Sequence, residues 1–167
     1  MFKFPLTATA LFQRVVPLLL LVVPVGCGPV QSHFVRVTDL PLKEHTLPSM
    51  TWQYSPLRSH AQYVLFGAQS GKEIQARLGD YYFVDWYDAE PLKPTRLEMV
   101  YTQALTASEK LYWIKDFTKP RSSRGSRKTL ITFNGPERAK RGDILSWCLN
   151  LYVDGKLVDS RRSYLFK

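Results

Sequence analysis

The dipeptide Asp154-Gly155 narrows what this chain can become more than any other feature. A two-residue hairpin turn needs positive φ at both central positions, and Asp-Gly is one of the few pairs that accept it. Alternating apolar and polar runs, Asp143–Val153 and Lys156–Phe166, flank the turn. Folding on it predicts the pairs Leu151–Val158, Leu149–Ser160, Trp147–Arg162 and Leu145–Tyr164. One face then carries Leu145, Trp147, Leu149, Leu151, Val158, Tyr164 and Phe166. The other carries Ser146, Cys148, Asn150, Asp159, Arg161 and Ser163. A one-residue slip would scramble this sorting, so pattern and turn specify the same register.

Upstream, β-branched and aromatic runs predict strands at Ala61–Phe66, Tyr81–Tyr87, Leu97–Gln103, Leu111–Phe117 and Lys128–Phe133. Turn chemistry separates them at Ser70-Gly71, Gly79-Asp80, Pro91 with Pro94, and Asn134-Gly135-Pro136. Thr95–Phe117 admits two readings. Thr95-x-x-Glu98 has capping-box spacing, and Leu97, Val100, Tyr101, Ala104, Leu105, Leu111 and Tyr112 partly fit a helical stripe. Alternation of Leu97, Met99 and Tyr101, with Tyr, Trp, Ile and Phe after Lys110, favours two strands instead. About seven short strands with regular turns predict an all-β antiparallel sandwich. The residues Gly79-Asp80-Tyr81-Tyr82, the Leu97–Tyr101 alternation, and Gly142-Asp143-Ile144-Leu145-Ser146-Trp147 running into the hairpin carry a further resemblance. This stretch, Ala61 to Phe166, resembles the immunoglobulin-like sandwich of small exported bacterial proteins, without the cysteine pair of antibody domains. The resemblance implies an architecture and no activity.

The N-terminus reads as an address. Val15–Val25 is an 11-residue apolar run behind a segment whose only charges are Lys3 and Arg14. It is too short to span a bilayer, which takes about 20 residues, and has the length of a signal-peptide core. Gly26 and Cys27 end it. This resembles the processing site of bacterial lipoproteins, although Pro24 stands where the family usually has Leu. The resemblance implies a signal peptide over 1–26 and a mature chain beginning at lipidated Cys27. Gly28 rather than Asp after the cysteine implies the outer membrane, where the organism has one. Residues 27–50, with Pro29, Pro41 and Pro48, read as a tether holding at most one short strand at Phe34–Val37. The sandwich is expected over 51–167.

Composition sets further limits. The net charge of +9 falls to +7 when Lys3 and Arg14 leave with the signal peptide. Nine Phe, nine Tyr and four Trp argue for a packed domain. With Cys27 acylated, Cys148 has no disulfide partner and is expected to be a small packed side chain.

Chemical motifs are sparse. His33, His45 and His60 are spaced by 12 and 15 residues and match no zinc pattern. Nucleophile elbow, Ser-x-x-Lys and phosphate-loop signatures are absent; Gly67-x-x-x-Gly71-Lys72 has the wrong spacing, followed by Glu73. Asp80, Asp85, Asp88 and Glu90 are expected as surface carboxylates bounding strands. The sequence therefore predicts no enzyme and no cofactor or metal. The one feature that suggests binding is basic: Lys119, Arg121, Arg124, Arg127 and Lys128 without an intervening acid, then Arg138, Lys140 and Arg141. Such a run reads either as an ordinary solvated hairpin loop or as a flexible one that meets anionic lipid head groups, lipopolysaccharide phosphates or other envelope polyanions. Expected partners are the membrane, through Cys27, and another envelope protein or an anionic envelope polymer. Nucleic acid is not among them, because aromatic interleaving is missing.

Overall fold

Alternation of apolar side chains along most of the strands predicts two half-buried sheets, and the computed structural model has them. It describes residues 30–44, 56–106 and 109–167. The elements are β1 (His33–Leu42), α1 (Pro56–Leu65), α2 (Gly71–Ala76), β2 (Gly79–Asp88), β3 (Thr95–Gln103), β4 (Leu111–Phe117), β5 (Gly125–Asn134), α3 (Gly135–Arg141), β6 (Ile144–Val153) and β7 (Lys156–Arg162). One sheet has the order β1-β2-β5 and the other β4-β3-β6-β7, and every pairing is antiparallel. The fold is an all-β sandwich of seven strands. Its first, second and fifth strands face its third, sixth and seventh, with the fourth strand beside the third.

The core lies between the sheets. Phe34, Val84, Trp86, Leu97, Met99, Ile131, Leu149 and Leu151 are each at most 1% exposed. Tyr82 and Tyr101 join them. Thr95–Phe117 is two strands: Thr95 is buried on the inner face, and Glu98 accepts hydrogen bonds from Asn150 and Tyr152 on β6 instead of capping a helix.

Three expectations are corrected. Ala61–Phe66 is not a strand. Leu57, Ala61, Val64 and Leu65 recur at helical spacing and pack, as part of α1, on Leu40, Leu42 and Tyr81 on the outer side of the first sheet. Ser70-Gly71 starts α2 through a capping box in which Ser70 and Glu73 exchange hydrogen bonds. The expected tether contains β1, nine of whose ten residues pair along β2, so the sandwich begins well before residue 51. Cys27 and the signal segment, residues 1–26, lie outside the described residues.

The Asp154-Gly155 turn forms as predicted, with φ of 52° and 74°. The register does not follow from it for long. A bulge between Leu151 and Tyr152 shifts the pairing to Leu151–Asp159, Leu149–Arg161 and Cys148–Arg162. Asp159 and Arg161, expected on the outer face, thereby reach β1. Asp159 accepts a hydrogen bond from the Phe34 amide at 2.7 Å, and Arg161 donates to the Phe34 carbonyl at 3.4 Å. β1 has its own bulge there, between Phe34 and Arg36. The slip therefore satisfies backbone groups at the seam between the sheets. Leu145 is 53% exposed and Tyr164 fully exposed, not on the core face.

Leu149→Ala is expected to destabilise the domain by about 2–5 kcal/mol, as cavity-forming changes in a core do. Trp147, packed on the core but only partly buried, is expected to give a smaller loss on truncation to Ala than its size suggests. Urea unfolding of both variants checks the ranking.

Candidate functional site: two ion clusters and an end cleft

A polyanion-binding surface would require the two basic segments to lie side by side. They are instead parted by the length of β5, about 30 Å at ~3.3 Å per residue: the loop of Lys119, Arg121 and Arg124 precedes this strand and α3 follows it.

At the first end the loop is docked. Arg121 pairs with Asp88, whose side chain is wholly buried. Its guanidinium also donates to Thr95 Oγ1 at 2.7 Å and to the Lys93 and Phe117 carbonyls at 3.2 Å. It lies 6.0 Å from the Trp86 ring centre and 5.9 Å from that of Phe117. Arg127 approaches the same Asp88 oxygen at 3.5 Å and donates to the Ser123 carbonyl. Two cations of the predicted patch thus hold a buried carboxylate, and only Lys119, Arg124 and Lys128 of this segment are exposed.

At the second end, Arg138 Nε donates to Asp80 at 3.0 Å, and the same guanidinium pairs with Asp143, which also binds Lys43. This cluster joins the end of β1, the start of β2, α3 and the approach to β6. Burial pushes the Asp80 carboxyl up, with the Arg138 hydrogen bond opposing it. The Lys43 hydrogen bond holds Asp143 below its ordinary value. Asp80 is thus not the surface carboxylate expected from the sequence.

Beside this cluster a cleft of about 320 Å³ opens between the sheets. It opens between β4 and β5, edge strands that each pair on one side alone. Inward-facing Tyr101, Trp113 and Phe133 form its apolar walls, and Gln103, Thr132, Asn134, Arg138 and Arg141 line the rest. The Tyr101 and Phe133 rings pack at 4.7 Å between centres. The rim is held from behind. Gln103 Nε2 donates to the Gly142 carbonyl at 2.9 Å, and the Ala104 and Leu105 amides donate to the Asp143 and Arg141 carbonyls, also at 2.9 Å. Gly142 has φ of 80°, and a Cβ there would stand 3.1 Å from that of Ala104. Arg138 and Arg141 were singled out in the sequence. The three rings were legible only as core positions of alternating strands, and Lys140 is exposed but outside the cleft lining.

The remaining candidates are scattered. His60 packs edge-on against Phe83 at 4.1 Å in a groove of about 430 Å³ between α1 and the first sheet. Asp85 is the carboxylate lining that groove, opposite Lys128 in the ladder. His33 bonds the Gln31 carbonyl and stacks on Tyr87, and Glu90 pairs with Lys93. His45 lies outside the described residues. Glu73 accepts from the Gln69 and Ser70 amides, so a carboxylate of the chain itself occupies the turn that superficially matched a phosphate loop. Cys148 sits half-buried within reach of Asn150 and Ser160. Compared with models of known families, with curated proteins and with solved structures, the chain matches none.

Arg121→Ala leaves Asp88 buried without its closest partner, and a loss of about 3–5 kcal/mol is expected. Lys119→Ala and Arg124→Ala are expected to stay within about 0.5 kcal/mol of wild type, as exposed positions do; denaturant midpoints separate the two classes. The carboxyls at the other end carry opposite linkage. Because Asp143 is lowered, its contribution is present above its unfolded pKa and disappears as pH falls through the folded one. Asp80, being raised, disfavours the fold as pH climbs from its unfolded to its folded pKa. On acidification, carboxyl ¹³C shifts should report protonation of Asp80 before Asp143, and Arg138→Gln should move Asp80 higher still.

Proposed function

We propose that this chain is a lipid-anchored binding module of the cell envelope, displayed by an acylated Cys27 and engaging its partner without catalysis. The observation that carries this reading is the cleft at the α3 end. It is open, and its walls and rim are set by the core and by a partly buried ion cluster. Sites of this kind, apolar walls with a few placed polar groups, suit a bound ligand. The anchor is supported by the 11-residue apolar run, its flanks and the Gly26-Cys27 junction.

The alternative of a polyanion contact through the Lys119–Lys128 loop is not favoured. Arg121 and Arg127 are engaged with Asp88, and the loop does not share a surface with Arg138 and Arg141.

The anchor is tested by fractionation. In a bacterial host that processes lipoproteins, the wild type is expected in the membrane fraction at mature mass. Cys27→Ser is expected to accumulate as an unprocessed precursor lacking the lipid. Identical fractionation and mobility of the two would rule out lipidation at this residue.

A further inference from the structure

We propose that β4 is a self-association edge: two copies of this chain join their second sheets by antiparallel pairing of β4 with β4, about a two-fold axis at Trp113. This inference rests on the binding-module reading and names the partner, a second copy, that covers the mouth of the cleft. An edge strand offers unpaired backbone groups to another chain unless something blunts it. Among the described strands, β1, β5, β4 and β7 lie at sheet edges. β1 contains Pro41 and a bulge, and it is tied to β7 through Asp159 and Arg161. β7 itself is bulged against β6. β5 carries Arg127 and Lys128 and no acid, so two copies of it repel. β4 differs from all three. Its seven residues pair with β3 without a bulge, and they include neither Pro nor Gly. Its outer face shows Tyr112 at 61% exposure and Ile114 at 50%.

Complementarity selects the occupant and the register. With the axis at Trp113, Tyr112 of one copy stands opposite Ile114 of the other, Leu111 opposite Lys115, and Lys110 opposite Asp116. The axis repeats each pair, giving two aromatic–β-branched contacts and two opposite-charge contacts on the outer face. Asp116 already holds Arg96 at 2.6 Å in the β3–β4 ladder, and the second copy's ammonium supplies a cation on its open side. Lys110 is exposed, with Nζ 5.6 Å from the Phe166 ring centre. Centring the axis on Tyr112 or Ile114 sets Lys110 opposite Ile114 or Thr118 and gives up both kinds of pair. On the inner face the two Trp113 rings meet across the axis, each a wall of its own cleft. Lys115 is the one charge on that face that could blunt the edge, and its Nζ lies 5.4 Å from the Phe117 ring centre. Opposite Leu111 its stem covers apolar surface while the ammonium stays in water. Anchoring both copies to one membrane raises their effective concentration, so a short ladder suffices.

The test follows the full-length protein in density-matched detergent by sedimentation velocity, in a series rising to ~100 µM, well above the Kd of a micromolar contact. The wild type is expected to dimerise reversibly. Lys110→Glu and Asp116→Lys each set like charges together twice across the axis, and each is expected to weaken association at least tenfold. The combined Lys110→Glu/Asp116→Lys variant has opposite charges again and is expected to return to within about threefold of the wild type. Micelle and anchor are the same in every variant, so neither can imitate this rescue. Ile114→Lys is expected to be monomeric. The substituted side chains are all exposed, and near-UV circular dichroism checks that each variant is folded. A wild type that stays monomeric at the highest concentration overturns the proposal. A dimer indifferent to the charge reversals overturns it too, because such a dimer joins through another surface. A monomer that co-sediments with purified cell-wall polymer leaves the binding-module reading standing, and one that does not removes that reading as well.

Discussion

The inner face of β2 reads Asp80, Tyr82, Val84, Trp86, Asp88: three packed residues with a buried carboxylate at each end. This arrangement places a demand on the rest of the molecule. A carboxylate taken from water without a partner is strongly unfavourable, so each end of the strand must be met by a cation from elsewhere. Arg121 and Arg127 come to Asp88 from the β4–β5 side, and Arg138 comes to Asp80 from α3. Two connections rich in positive charge are thereby fixed to the sandwich. Three of the eight cations singled out in the sequence, Arg121, Arg127 and Arg138, serve internal neutralisation.

The same pairing creates the site. Arg138, in reaching Asp80 and Asp143, comes to stand at the mouth between β4 and β5, where no strand joins the sheets. Core aromatics that would otherwise be covered become the walls of a cleft there. The opposite seam is closed by a different device, the paired bulges that bring Asp159 and Arg161 to the Phe34 backbone. One side of the sandwich is thus sealed by polar contacts and the other left open beside a guanidinium pair.

How far the sequence was readable depends on the range of the deciding force. The Asp154-Gly155 turn was legible because positive φ at two adjacent residues is a local requirement. β4 was legible to the residue, and Thr95–Phe117 as two strands, because alternation is a property of neighbours. Ala61–Phe66 was misread, since Ala61, Val64 and Leu65 suit either a strand or a helix stripe, and the apolar outer face offered by Leu40, Leu42 and Tyr81 decides for the helix. β1 was taken for tether because Pro29, Pro41 and Pro48 interrupt the pattern around it, and its partners on β2 lie 37 to 54 positions away.

The sequence by itself determined six of the seven strands and the hairpin turn, both of which rest on short-range geometry. Only the tertiary structure decided the hairpin register beyond Leu151, the employment of Arg121, Arg127 and Arg138 inside the molecule, and the gathering of Tyr101, Trp113 and Phe133 at one mouth. Charge along a chain carries no label for its partner. A guanidinium exposed in the unfolded chain becomes internal when a carboxylate distant in sequence is buried within its reach, and that distance is set by the packing of two sheets.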